Sequence, residues 1–168
     1  PNLVESYYHH DGINSIISRG NKHFKESLQP GDNHFFNVIG FPVLHGNAAT
    51  AFNKPNAIVL TAQKAIKFFG RTDVIGETLT VKSFSGNQRD FEITAVLKDL
   101  PYNTITNYNN GSNDFFLPEE SLVFFGRDAG FNAWQNPYII NYVKLREGIK
   151  PADLTKPVKD ILALNAPV

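Results

Sequence analysis

The stretch that most limits how this chain can fold is "NAIVLTAQKAIKFFGRTDVIGETLTV", residues 56 to 81. Its apolar run Ile58, Val59, Leu60 reads as a strand and leads into Thr61, whose hydroxyl suits a helix N-cap. Ala62, Ala65, Ile66 and Phe69 follow at i, i+3, i+4 and i+7, the spacing of one apolar helix face. Gly70 stands where a left-handed residue closes a helix, and a second strand, Thr78 to Val81, follows the Gly76-Glu77 turn. The spacing predicts a βαβ-like unit and commits the chain to a mixed fold. No nucleophile motif, phosphate loop or metal-ligand pair sits on it.

The flanks are richer in strands. "SIISRGNKHFKESL" predicts two strands around a Gly20-Asn21 turn. In residues 31 to 46 the sequence predicts a helical turn capped by Asp32 or Asn33 and ending before Gly40, then a strand that includes Pro42 and runs to Gly46. Phe91, Ile93, Ala95 and Leu97 alternate with Glu92, Thr94 and Val96, so this segment pairs with 78 to 81 as a hairpin around Ser85-Gly86-Asn87. Asp99 is expected to cap a turn before Pro101. Residues 101 to 113 lack hydrophobic periodicity and read as a loop and a subdomain boundary. "DFFL" is a short strand ending at Pro118, and the following Glu pair opens a helix through Phe124 and Phe125. "YIINYVKLREG" is a strand stopped at Gly148. A final helix carries Pro151 at its first position and Asp153 in its first turn. Leu154, Val158, Ile161 and Leu162 share one face of it, and Pro157 should kink or restart it. Clean strand–helix alternation occurs once, so the class is α+β rather than doubly wound.

Composition narrows the function classes. Sixteen basic and sixteen acidic side chains cancel, and no Lys or Arg run is present, which argues against nucleic acid as a partner. Cysteine is absent, excluding disulfides and thiolate metal sites. Methionine is absent and the chain begins at Pro1, so a processed form or an excised piece of a longer protein is expected. All five histidines fall at or before residue 45 (His9, His10, His23, His34, His45), yet none are paired at i, i+4, and His9 and His10 would face opposite ways on a strand. Surface histidines are the expectation, and no metal, cofactor-binding or catalytic residue is assigned. Neither G-x-S-x-G, G-x-G-x-x-G nor GK[ST] occurs. The Phe pairs 35-36, 68-69, 115-116 and 124-125 are expected to pack in cores, with one member of a pair free to be exposed.

Four segments, "NHFFNVIGFPVLHGNAATAF", "NAIVLTAQKAIKFFG", "DVIGETLTV" and "FEITAVLKDLP", taken in this order and spacing, resemble the MacB-like periplasmic core domain of FtsX-like ABC-transporter permeases, in the version found in Bacteroidetes. "YVKLREGIKPADL" also matches the family's later strand and helix. The resemblance implies a porter-like α/β subdomain built from residues 1–45 and 101–168, with an inserted mostly-β subdomain at 46–100. It further implies a non-catalytic domain on the periplasmic side of the bacterial inner membrane, part of an integral membrane protein. Implied partners are the membrane helices and the ATPase subunit or domain of the parent transporter, and periplasmic or outer-membrane proteins. The parent would be a homodimer. After "KDLP" the sequence "YNTITNYNNGSNDFFL" replaces the family's Ser-His segment. Asn107, Tyr108, Asn109 and Asn110 in that long polar loop are therefore the candidate partner contacts. Two rival readings stand beside this one: a soluble extracytoplasmic module that binds a ligand through exposed aromatics, and a metal-dependent enzyme built on the N-terminal histidines.

Overall fold

The computed structural model describes residues 3–101, 103–105, 114–134 and 138–165. Among the described residues nine strands lie in chain order: β1 (Val4–His10), β2 (Ile13–Arg19), β3 (Lys22–Gly31), β4 (Val43–Gly46), β5 (Ala57–Thr61), β6 (Thr78–Lys82), β7 (Gln88–Leu97), β8 (Phe115–Pro118) and β9 (Ile140–Leu145). The helices are α1 (Phe35–Ile39), α2 (Ala62–Phe69), α3 (Leu122–Phe125), α4 (Asp128–Phe131) and α5 (Thr155–Asn165). The α+β class expected from the pattern is what the chain adopts.

Six strands close on themselves. β2 pairs with β6, β6 with β7, β7 with β5, β5 with β8, β8 with β3, and β3 returns to β2. The β3–β8 and β5–β7 contacts are parallel and the other four antiparallel. Closure leaves no ring strand with an unpaired side, the usual liability of an open sheet. Residues 46–100 supply β5, β6 and β7, while β2, β3 and β8 come from either side. Any division at 46 and 100 therefore runs through a shared hydrogen-bonded wall.

The ring interior holds one core, including Ile17, Leu28, Ile58, Leu60, Leu79, Val81, Phe91, Ile93 and Phe115, all fully buried. A second core lies outside the wall, where Val59, Ala95, Leu97 and Phe116 meet Tyr8, Phe35 and Phe52. Phe35 and Phe116 stack with ring centroids 4.5 Å apart. Adjacent residues Phe115 and Phe116 thus serve opposite cores, as strand alternation requires. β7 departs from strict alternation. Its register against β5 slips between the Ile58↔Ile93 and Val59↔Ala95 pairs, so Thr94 is a bulge. Phe91 and Ile93 face the inner core before it, whereas Ala95 and Leu97 face the outer core after it. The Thr94 hydroxyl donates to the Ala51 carbonyl at 2.7 Å and fastens the bulge. Gly46, at φ 89°, passes so close to Thr94 that any side chain there would strike its carbonyl oxygen.

The opening unit forms with two corrections. The hairpin β6–β7 docks with β7 beside β5, so β7 is the parallel partner of β5 and the crossover closes one strand later than the pattern suggests. Thr61 caps α2 by accepting from the Lys64 N–H, and Gly70 ends it at φ 75°. The buried face, however, is Ala62, Ala65 and Phe68, while Ile66 is 53% exposed. The cause is ionic: buried Glu26 on β3 receives Lys64 at 2.6 Å and Lys67 at 2.5 Å, which fixes the rotation of the helix on the ring. Asp99 caps this helix rather than its own turn, accepting from the Gln63 N–H at 3.1 Å. Elsewhere, β4 starts one residue after Pro42, whose carbonyl still accepts from Lys98.

Outside the ring, β9 pairs with β1 along its length, from His10↔Ile140 to Val4↔Leu145. β1 touches the ring through one pair, His10↔Gly31, and continues into β2 across Asp11-Gly12. At Gly31 an added Cβ would lie 2.5 Å from the Tyr8 hydroxyl, so only glycine lets β1 approach. The last helix begins as a 3-10 turn, Pro151–Leu154, and restarts as α5. Pro157 falls in the first turn of α5, where a missing N–H forfeits no helix bond. The expected apolar face exists but is open: Val158, Ile161 and Leu162 are about half exposed, and no α5 residue is buried.

Candidate functional site

The richest polar chemistry lies where β1 and the end of β3 meet. Asp32 terminates β3 as the chain turns into α1, and its carboxylate gathers four donors. Oδ2 accepts the His9 backbone N–H at 2.9 Å and lies 2.8 Å from His9 Nδ1. Oδ1 accepts the His34 N–H at 2.7 Å and lies 3.1 Å from His34 Nδ1. Neither Asp32 nor Asn33 is the N-cap of α1; that position is His34, and Asp32 supports it from two residues upstream. Asp32 consumes the full acceptor capacity of a carboxylate.

On the opposite side of β1, His10 is 3% exposed and stacked between Tyr8 and Tyr142 at centroid distances of 5.4 and 5.8 Å. Burial lowers its pKa, opposed by the Asp11 carbonyl, which accepts from Nδ1 at 3.3 Å, and by the Asp11 charge. Burial also raises the Tyr8 hydroxyl, although Gln29 Nε2 donates to it at 2.9 Å. Asp11, 2% exposed, accepts from Arg127 Nε at 2.5 Å and from the Gly12 N–H at 2.7 Å. The expectation of surface histidines is thus corrected for His10, which the two tyrosine rings take inside, and for His9, whose side chain is 15% exposed. His34 and His23 remain exposed, and His45 is half-buried against Thr72.

Beside His9 opens a pocket of about 350 Å³ lined by Phe131, Asn132, Ala133, Trp134, Ile139 and Asn141. His9 and Asn141 are direct cross-strand partners, and Phe131 holds the His9 ring at 4.5 Å. Trp134 is 51% exposed at its mouth. His9 Nε2 is buried and lacks a hydrogen-bond partner; the Glu119 carboxylate is 3.9 Å away.

Ser121 Oγ is likewise buried without a partner, so His9 and Ser121 do not form a base–nucleophile contact. Among the described residues no group of three or more His, Asp or Glu side chains could hold a metal ion. The candidate partner residues Asn107, Tyr108, Asn109 and Asn110 lie outside the described residues. No member of the four Phe pairs is exposed; among the described residues the exposed aromatics are Tyr7, Phe84, Trp134 and Tyr138. Sequence reading missed the Asp32 cluster because its two halves are 23 residues apart. The one available signal was the "HHD" run at 9 to 11.

No described helix is long and apolar enough to cross a membrane. None of the curated proteins matches the chain in sequence. Among solved structures, a permease-type protein domain from Porphyromonas gingivalis superposes with a TM-score of 0.73 at 21% identity, over 98% of this chain and 65% of that one. The periplasmic region of MacB from Actinobacillus actinomycetemcomitans gives 0.68 at 17% identity, over 98% and 68%. The extracellular domain of the noncanonic ABC-type transporter YknZ from Gram-positive bacteria gives 0.60 at 14%, over 93% and 71%. The chain thus spans about two thirds of these domains and shares their fold. The family model of the MacB-like periplasmic core domain matches residues 4–161, nearly the whole chain, and the chain belongs to that family.

Proposed function

We propose that this domain is a non-catalytic extracytoplasmic part of an ABC-transporter permease, on the periplasmic side of the inner membrane. In this reading it moves as a stiff body with the membrane helices and passes the ATPase cycle to a periplasmic substrate or partner. The observation that carries the reading is the closed ring, in which every strand is paired on both sides and two cores share one wall. Such a body resists internal sliding, as a lever must.

Residues 1–45 and 101–168 would form the porter-like part and 46–100 the insert. The loop Asn107–Asn110 would contact the partner, and the parent would act as a homodimer. The test is made in the parent transporter. Exchanging Asn107, Tyr108, Asn109 and Asn110 for a Gly-Ser segment should weaken partner capture and uncouple transport while basal ATP hydrolysis continues. Hydrolase turnover by the purified domain would overturn the non-catalytic reading. Unchanged transport and capture would overturn the assignment of the loop.

A further inference from the structure

We infer that the outer wall of the ring, where β2 and β6 part, is a docking surface for an extended acidic segment of a partner protein. That segment carries an apolar side chain between two carboxylates. The inference is independent of the lever role and of the Asn107–Asn110 loop, since it rests on side chains of β2, β3, β6 and the turn after β6.

The first support is an opening in the wall. β2 and β6 share the pairs Ile17↔Val81 and Ser18↔Thr80 and then separate. The Ser15 hydroxyl spans the gap by donating to the Lys82 carbonyl. A notch of about 260 Å³ lies there, and Ile16 and Lys82 line both it and a second hollow of about 370 Å³. Ile17 and Val81 are fully buried in the ring, so strand alternation turns Ile16 and Lys82 outward. Ile16 and Phe84, both lining the notch, are large apolar side chains left exposed.

The second support is charge. Lys25 is the β3 partner of Ile16, and Lys82 follows Val81 on β6, so a lysine stands on each flank of Ile16. The other cations of the ring strands are engaged: Arg19 by Glu77, Lys22 by the Lys67 and Phe68 carbonyls, and Arg89 by Asn56 and the Phe124 ring. Lys25 and Lys82 have no ion-pair partner among the described residues. No described residue lining either hollow is acidic, and Asp90, on β7 opposite Thr80, is held by the Thr80 hydroxyl at 2.6 Å. An apolar hollow between two uncommitted cations is complementary to an apolar side chain between two carboxylates.

The spacing sets the pattern of the segment. Lys25 and Lys82 lie one strand to either side of Ile16, so their backbones are about 10 Å apart. In an extended chain, residues i, i+2 and i+4 share a face and the outer two are about 13 Å apart. The lysine stems make up the difference. An acid-x-apolar-x-acid segment therefore sets its apolar side chain on Ile16 and a carboxylate on each lysine. A bilayer fits less well, because Ile16 sits in a hollow and Phe84 leans on Phe125 at 5.9 Å instead of projecting.

The test is an amide-shift titration of the isotope-labelled chain with the peptide acetyl-SESLSES-amide. Saturable shifts centred on Ser15–Ile16, Lys25 and Lys82–Phe84 are expected, with a Kd of about 0.3–3 mM for so small a contact. Lys25→Gln and Lys82→Gln should each weaken binding about three- to fivefold, and Ile16→Ser similarly, with the rest of the spectrum unchanged. The peptides acetyl-SKSLSKS-amide and acetyl-SESSSES-amide should bind at least threefold more weakly. No saturable shift, shifts centred elsewhere, or equal binding of either control peptide would overturn the inference. So would co-sedimentation with phosphatidylglycerol vesicles that both lysine substitutions abolish while the acidic peptide gives no response, since the surface would then belong to a membrane.

Discussion

The six-stranded ring and the β1–β9 arm with its following helix are built from the same residue types but held in different ways. In the ring, side chains from all six strands reach zero exposure, and each strand is hydrogen-bonded on both flanks. In the arm, β9 has β1 as its only strand partner among the described residues, and α5 buries nothing. Strand pairing between arm and ring is confined to His10↔Gly31, and polar contacts reinforce it: Asp11 to Arg127, the Asp11 N–H to the Pro30 carbonyl at 2.9 Å, Gln29 to the Tyr8 hydroxyl, and Asp32 to His9. Tyr8 inserts between them into the outer core. Apolar burial contributes roughly 1.5–3 kcal/mol for each large side chain taken fully out of water, so stability is concentrated in the ring, whereas the arm depends on oriented polar contacts.

That contrast can be broken by substitution. Leu60→Ala empties fully buried volume in the inner core and should lower unfolding free energy by about 2–5 kcal/mol in urea titrations. A loss below 1 kcal/mol would mean that the ring is not where stability resides. Next in size is Asp11→Asn at the joint. It keeps an acceptor for Gly12 but leaves Arg127, 29% exposed, without its carboxylate, at a cost of about 1–3 kcal/mol. Its effect should appear as faster proteolysis of the arm before any loss of ring structure.

Acid supplies the third test. His10 titrates near 6.5 when unfolded and lower when buried, so between those values the unfolded chain binds more protons. Its contribution is intact above pH 6.5 and is lost as pH falls through the folded value, by at most about 1.4 kcal/mol per pH unit. His10→Phe should flatten the pH dependence of the unfolding midpoint relative to the parent chain. An unchanged slope would show that the ring stack does not keep His10 neutral. The smallest effect is expected from Leu162→Ala on α5, within about 0.5 kcal/mol, because the side chain is already half in water. A loss comparable to that of Leu60→Ala would erase the distinction between the two regions.

What was legible in the sequence was local. The Thr61 cap, the Gly70 stop and the Ser85–Asn87 turn each depend on neighbours within a few residues, and each formed. The helix face came out rotated because Glu26, on a distant strand, takes Lys64 and Lys67. Alternation along β7 hid the Thr94 bulge, since Ala95, Val96 and Leu97 beyond it are apolar enough for either core. Ring closure was illegible for the same kind of reason: β2 meets β6 through two residue pairs, Ile17↔Val81 and Ser18↔Thr80, which no periodicity announces. The Asp32 cluster needed β1 and β3 side by side before its histidines could share a carboxylate. The family resemblance, carried by ordered core and turn motifs, reached further than any of these local rules.

Closure of the ring also governs how its amides meet deuterium. A strand at a sheet edge exchanges by fraying, one residue at a time, as the outward flank of β9 will. A ring strand released from one neighbour is still held by the other. Amides in β5 and β7 can therefore exchange only when several ladders part together, close to global unfolding. The domain should record two clocks, a fast one in the arm and a slow, shared one in the ring.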